Sequence, residues 1–531
     1  MKLLNSNYNY YPHTKINNLK ELLYLGFKDH PDDIAFSFSE NNIKIKKTYK
    51  DVYNDVLNLS GYFYKNYKNR HIALISENSY NYIITFLSII LSGNVCVVID
   101  KDISANDLDN LLKISDTKII YYSMSYCLFI KDTKYPSFQI NNLDEYIKIG
   151  KNIPNKYKID DNKDAAIFFT SGTTGANKAV ALSQKSIAYD IYAASSLFKP
   201  EGIVVSVLPY HHAFGLITSV LKPFYYDTEV YICKSLKYMM RDFKENKPGT
   251  LFMVPAIVEM IYRQIWKNAR QNKTDKLLKN AIRISNSLLK VNIDIRRKLF
   301  KNILDEFGGN LKYIICGGAY LDKKYVKWFR SIGIEILNGY GITECSPVVA
   351  VNRNNCYKDG SVGQICKDID VKIIDKEICV SGPIVMNGYY KDKKSTNEVI
   401  KDGYFHTGDL GYIDRNGFLY ITGRKKNLII LTNGENISPE LIESELLKDN
   451  AVEEAVVYEE ANKLVVSILP SEEYLTDQEY FDNLINNYNK DKPKNHQIAL
   501  VKLRTEQFIK NNNGKILRNK VMEEKHERRN N

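Results

Sequence analysis

Between positions 165 and 183 the chain reads AAIFFTSGTTGANKAVALS. Hydroxyls alternate with glycines over Thr170, Ser171, Gly172, Thr173, Thr174 and Gly175, and Lys178 follows. Such a loop can wrap phosphate oxygens. Glycine lets backbone N–H groups approach closely, the hydroxyls add donors and the lysine adds a positive charge. A Walker-type loop needs GxxxxGK[ST], and that pattern fails here at Asn177 and Ala179. The flanking runs are both strand-like, so the loop joins two strands where a Walker loop would open a helix. A plain polar hairpin is the alternative reading.

Four more places carry residues suited to chemistry. NGYGITECSP, 338–347, holds Thr343 and Glu344; alone the pair reads as a helix cap, but a carboxylate is also a hard ligand for a cation that bridges phosphates. Gly317, Gly318 and Ala319 follow a strand-like run, and α/β sheets bind ligands at the carboxyl ends of strands, although a structural turn would look the same. Asp409 in HTGDL offers a bidentate acceptor, yet an unpaired Asp in such a turn is ordinarily solvated. Lys515 in NNNGKILR is a flexible, strongly charged amine. His211 and His212 in LPYHHAFGL have no further ligand nearby in sequence, which makes a poor metal site.

These residues need a frame. Runs at 72–76, 95–99, 118–122, 203–208, 250–254, 311–316 and 334–337 read as short buried strands separated by helical patterns. Strand alternating with helix predicts α/β layers with parallel sheets covered on both faces. From about Asp370 the texture becomes strands and turns, with a hairpin signal at Asn416-Gly417. A helix is expected to start at Ser438-Pro439-Glu440, with Ser as N-cap and Pro at the first position. The expected division is a large region, 1–424, holding parallel sheets and a small β part, followed by a small mobile α+β unit, 425–531.

Composition narrows the class. Over 531 residues, 44% apolar and 26% charged content excludes collagen-like, disulfide-scaffold and wholly disordered readings. The net charge of +12 is a mild excess that could attract polyanions. No basic block, aromatic–basic repeat or zinc-finger spacing marks a nucleic-acid binder. The eight Cys never form a CxxC pair, so a reducing compartment, the cytoplasm, is expected. The N-terminus lacks the apolar core of a signal peptide. The long apolar stretch 82–99 tempts a membrane-spanning reading, but Ser92-Gly93-Asn94 splits it into a helix and a strand. No transmembrane segment is expected; peripheral membrane contact stays compatible with the sequence.

From about Asp32 to Val521 the chain resembles the adenylate-forming (AMP-binding) enzymes, the acyl-CoA synthetases and long-chain fatty acid–CoA ligases above all. The resemblance rests on the ordered motifs TSGTTG, NGYGITECSP, YFHTGDLGYIDRNGFLYITGRKKN, GENISPELIESEL and NGKILR. It implies ATP, Mg²⁺ and coenzyme A as reactants and cofactors. The 170–175 loop with Lys178 would hold the outer phosphates, Glu344 the Mg²⁺, and Thr343 the α-phosphate. Adenine would lie against Tyr340, with backbone contacts from Gly317, Gly318, Ala319, Asn338 and Gly339. Asp409 would take the ribose hydroxyls, and Arg424 the ribose or a phosphate. Lys515 would stabilise the entering carboxylate, Lys426 would be the hinge of the small unit, His212 would border the acyl pocket, and Gly434 the thiol tunnel. The family places a Pro-containing stretch before the Gly-Lys, where this chain has Asn511-Asn512-Asn513.

The implied activity is activation of a carboxylic acid to acyl-AMP and pyrophosphate, then transfer to the coenzyme A thiol. Amino-acid-activating relatives carry an Asp soon after the His region; here 213–218 is AFGLIT, so an uncharged acyl or aryl chain is preferred. The segment 254–262 is of a kind more often core helix than substrate wall, and both readings stay open. Only a charged tail follows Lys515, so a carrier domain is not expected in cis. The alternative is an acyl-AMP ligase loading an acyl or peptidyl carrier protein in trans, for an amino or aryl acid among others.

Overall fold

The computed structural model describes residues 10–131, 133–153, 158–171, 177–430, 436–449, 451–510, 516–518 and 520–521. The apolar stretch at 82–99 shows why the chain folds as layers. Ser79 caps helix Tyr80–Leu91 by accepting from the Tyr82 N–H. The helix stops at Ser92 and Gly93, the latter at φ 78°, and strand Val95–Val98 begins at once. Both pieces are buried, as a covered parallel sheet requires. Among the described residues no helix is long and apolar enough to cross a membrane.

Two large sheets carry the fold. In the seven-stranded sheet, Val95–Val98, His71–Ile75, Ile119–Tyr122 and Ser137–Gln139 run parallel beside Asp164–Ser171. That strand returns antiparallel as Asn177–Ser183, which in turn pairs with Gly388–Tyr389 at the edge. The nine-stranded sheet has a parallel centre of Val230–Ile232, Val204–Ser206, Thr250–Met253, Tyr313–Cys316 and Glu335–Gly341. Its edges are antiparallel: Val348–Val351 and Gln364–Ile365 at one, Ile43–Thr48 at the other. One apolar core serves both sheets, with Phe86, Phe168, Phe198 and Phe252 fully buried in it. Each of the seven parallel-strand runs expected from sequence is a strand, most of them shorter by one or two residues.

A five-stranded antiparallel sheet follows, built on Asp370–Ile374, Glu377–Ser381, Tyr404–Ile413 and Leu419–Arg424. Asn416-Gly417 does sit in a hairpin turn, with Gly417 at φ 78°. Beyond Arg424 the chain forms Ile429–Ile430 paired with Asn436–Ile437, helix Pro439–Leu446, and a three-stranded sheet of Val452–Glu460, Lys463–Pro470 and Ile498–Leu503. Val457, Val466, Phe481 and Ile442 gather there in an apolar cluster of their own. The architecture is thus a large α/β region followed by a small α+β one. One local detail differs from the sequence reading. Ser438 precedes the helix, but its hydroxyl donates to the Thr422 carbonyl at 2.7 Å and does not cap. The backbone of 422–423 lies so close that a Cβ on Gly423 would sit 2.1 Å from Ser438 Oγ.

Candidate functional site

Strand order brings the separated motifs to one place. Asn338, Gly339 and Tyr340 end the strand Glu335–Gly341, with Asn338 directly beside Cys316 on the neighbouring strand. Gly317, Gly318 and Ala319 therefore leave the sheet next to them. The chain then doubles back through a tight turn, Thr343–Cys345, into Val348–Val351. A Cβ on Gly341 would lie 1.9 Å from the Pro347 carbonyl oxygen, so only glycine permits the turn that presents Thr343 and Glu344. Asn338 Oδ1 is buried without a hydrogen-bond partner among the described residues. An orphaned acceptor at that position suits a ligand that brings an N–H donor, such as an exocyclic amine.

The hydroxyl- and glycine-rich loop is framed as expected: Thr170 stands opposite Lys178 across an antiparallel pair, with Ser171 opposite Asn177. Gly172, Thr173, Thr174 and Gly175 lie outside the described residues, as do Gly434 and Lys515. Tyr389, unremarked among 39 tyrosines, links this frame to Glu344. It lies on the strand beside Lys178, whose Nζ sits 4.4 Å from the ring centroid. Its hydroxyl donates to Glu344 Oε1 at 3.0 Å. Burial pushes the Glu344 carboxyl up, while Tyr389, Lys178 and Arg424 pull it back. A desolvated carboxylate with Lys178 and Arg424 near it is a fitting ligand for a hard divalent cation that bridges phosphates.

Asp409 lies within the ten-residue strand Tyr404–Ile413, opposite Arg424 on Leu419–Arg424. The alternative of a solvated turn fails here: Asp409 is buried because two strands and Tyr340 enclose it. Arg424 Nε meets Asp409 Oδ1 at 2.7 Å, and the Tyr340 hydroxyl donates to Oδ2 at 2.8 Å. Burial, with the Asp409 charge second, pushes the Tyr340 phenol well above its ordinary range.

Lys426 occupies the turn Lys425–Asn427, where the chain passes from the five-stranded sheet to the small region. Its neighbour Lys425 is anchored to buried Glu377 at 2.9 Å. Glu377, Cys379 and His406 bring potential metal ligands within 4.8 Å of one another. Burial raises the Glu377 carboxyl, but Lys425, the Gly408 N–H and His406 more than offset it. The Lys425 ammonium supplies the positive charge, so the group is an ion-pair network. Around the undescribed Lys515 loop, Lys510 bridges to Ile516, and the Leu517 N–H donates to Ile509 at 2.8 Å. Arg518 pairs with buried Glu443, which also accepts from the Val457 N–H at 2.6 Å.

The His212 ring lies against that of His211, tilted by 57° with centroids 4.2 Å apart. The two differ in setting. His211 is buried and lies 3.4 Å from Asp100, and burial, then His212, lowers its pKa to about 4. Next to them, Phe214–Leu221 is wound as a wide π-type helix, a form frequent at functional sites. Gly215 allows it: a Cβ there would lie 2.1 Å from the Pro209 carbonyl oxygen. The Phe214 ring lies against Gly317, where a Cβ would be 3.2 Å from Cζ. Tyr389, Glu377, the His211–Asp100 contact and Glu443–Arg518 escaped the sequence reading because each depends on partners distant along the chain.

The AMP-binding enzyme model matches residues 26–390, and that of the AMP-binding enzyme C-terminal domain matches 426–528. The long-chain-fatty-acid–CoA ligase FadD15 of Mycobacterium bovis is 29% identical over 324 residues, 57% of this chain and 54% of that protein. The long-chain-fatty-acid–[acyl-carrier-protein] ligase AEE15 of Arabidopsis thaliana is 27% identical over 386 residues, 59% and 52% respectively. The chain thus spans about half the length of the curated relatives it matches. The solved structure of o-succinylbenzoate CoA synthetase from Bacillus subtilis, in complex with OSB-AMP, superposes with a TM-score of 0.73. At 19% identity, that likeness covers 96% of this chain and 98% of the other.

Proposed function

Because the chain belongs to the AMP-binding enzyme family, we propose that it activates a carboxylic acid with ATP and passes the acyl group to the thiol of coenzyme A. In the first step a carboxylate oxygen attacks the α-phosphorus, the bond to the bridging oxygen breaks and pyrophosphate leaves. In the second, the thiol attacks the acyl carbon, AMP leaves and the thiol proton is released. Two anions must meet in the first step, so the site must supply positive charge and donors where charge develops.

The observation that carries this reading is the convergence of two networks, Tyr340–Asp409–Arg424 and Lys178–Tyr389–Glu344. Asp409 presents a carboxylate for a pair of ribose hydroxyls, and Arg424 holds it in place. Tyr340 with Asn338 and the 317–319 turn offers the adenine face. Thr170, Ser171, Lys178 and the intervening 172–175 loop take the outer phosphates, and Thr343 the α-phosphate. Mg²⁺, held by Glu344, would neutralise phosphate charge when bound. Lys515 stabilises the entering carboxylate during adenylation.

Lys515 would then obstruct the thiol. We place the large unit at 1–424 and the mobile one at 425–531, turning at Lys426 to exchange the Lys515 loop for the one bearing Gly434. Lys425, anchored to Glu377, supports a fixed end for that hinge. His212 borders the acyl chain, and the apolar stretch 213–218 supports an uncharged fatty or aryl substrate. The second reading, a carrier protein as thiol partner, draws on the acyl-carrier-protein ligase among the relatives. A cytoplasmic setting is supported by eight free cysteines. Thioester formation from a panel of fatty, aryl and amino acids, with coenzyme A or a phosphopantetheinyl carrier as acceptor, tests acid and acceptor together. Fatty acyl-CoA is the expected product; thioester on the carrier alone would favour the second reading, and none on either would reject both.

A further inference from the structure

The charge of this chain is concentrated in one surface segment. Residues 267–301 hold eleven Lys and Arg against two Asp, a net of +9 in a chain whose total is +12. No three of these charges are adjacent until Arg296-Arg297-Lys298, so the linear sequence shows no long basic block. Folding gathers them. Helix Asp275–Leu289 packs Leu278, Ala281 and Ile282 on the main core and turns its other side outward. On that side Leu277 and Ile284 are 69% and 56% exposed, and seven residues' spacing puts them on one face. Lys276 and Arg283 precede each by one, with Lys279 between. The turn beyond the helix adds Val291 and Ile293, 63% and 50% exposed, beside Lys290. Lys276, Arg283 and Lys290 have no carboxylate partner among the described residues.

We propose that this helix and turn form a docking surface for an anionic phospholipid bilayer. A helix lying in a membrane interface needs aliphatic side chains to enter the acyl boundary, flanked by cations facing acidic headgroups. Both are present here, and the two carboxylates of the segment, Asp275 and Asp294, are outnumbered by its eleven cations, with Asp294 paired to Arg296 at 2.8 Å. A nucleic acid is the poorer occupant, because the exposed apolar side chains of this face, Leu277, Ile284, Val291 and Ile293, are aliphatic, and the Trp266 ring beside it is partly buried with Lys279 over it at 5.8 Å. Resting on the proposed function with a fatty acid as substrate, the surface would hold the enzyme at the source of its water-insoluble acid.

Co-sedimentation of the full chain with vesicles tests the proposal. We expect binding to phosphatidylcholine–phosphatidylserine vesicles, weakened by salt, and little to phosphatidylcholine alone. Neutralising Lys276→Gln, Lys279→Gln and Arg283→Gln together should reduce binding about a hundred-fold, from ~1 kcal/mol per cation near an anionic surface. Leu277→Ser with Ile284→Ser should weaken binding while leaving its salt dependence unchanged. Pyrophosphate exchange with a water-soluble acid should be the same in all of these variants, which separates docking from folding and from the site chemistry. Equal binding to both vesicle types, unchanged binding by the triple variant, or capture of duplex RNA with vesicles ignored would overturn the proposal.

Discussion

Arg424 Nε lies 2.7 Å from Asp409 Oδ1, directly across an antiparallel strand pair. Tyr340 holds the other oxygen, so the carboxylate is oriented before any ligand arrives. On the proposed reading, Asp409→Ala removes two ribose contacts, and it deprives Arg424 of its partner. Hydrogen bonds to charged groups contribute about 1.5–3 kcal/mol each, so kcat/KM for ATP should fall about a hundred-fold or more. Steady-state kinetics at varied ATP would check this; an unchanged KM for ATP would remove Asp409 from the site.

Tyr389 bridges the strand of Lys178 and the turn of Glu344. Tyr389→Phe keeps the ring under Lys178 but deletes the donor to Glu344. We expect about a five-fold rise in the Mg²⁺ needed for half-maximal rate, corresponding to ~1 kcal/mol for one hydrogen bond. Glu344→Gln should raise it further. Activity titrated with Mg²⁺ at saturating ATP separates the two.

Much of this was legible in the sequence, for physical reasons. The parallel strands at 95–98 and 250–253 are continuous apolar runs because both faces are covered, and the break at Ser92-Gly93 is local turn chemistry. The motifs at 338–347 and 404–424 were visible as residue types. Their electrostatics were not. Asp409 reads as a solvated turn residue until the pairing of 404–413 with 419–424 buries it. Tyr389 gains its role only when an edge strand pairs with 177–183. Ser438 has the type and position of an N-cap, but the close approach at Gly423 gives its hydroxyl another acceptor.

Gly215 should tolerate no side chain. In Gly215→Ala the methyl would press on the Pro209 carbonyl, a backbone atom that cannot swing aside. Overpacking of this kind costs about 1–3 kcal/mol. Chemical denaturation should show that loss, and the π-type turn beside His211 and His212 should shift with it, raising KM for the acid more than for ATP.

His211 supplies a pH dependence. Its folded pKa, about 4, lies below the ordinary 6.5, because burial outweighs the attraction of Asp100 and Asp102, and His212 and Lys101 oppose the charge too. The unfolded chain therefore binds the proton first as pH falls. Stability from this group is complete above pH 6.5 and declines as pH drops towards 4, by up to about 3 kcal/mol. Urea denaturation at pH 7 and pH 5 should show a smaller difference for His211→Gln than for the parent.

Adenylate formation is the step on which the proposed function rests. The direct measurement is acid-dependent exchange of labelled pyrophosphate into ATP, with the parent chain and Lys515→Ala, and with transfer from supplied acyl-AMP to coenzyme A followed alongside. The proposed function predicts exchange with at least one fatty or aryl acid, its near-complete loss in Lys515→Ala, and thioester formation from acyl-AMP largely retained. No exchange with any acid, or equal loss of both steps in the variant, would contradict it.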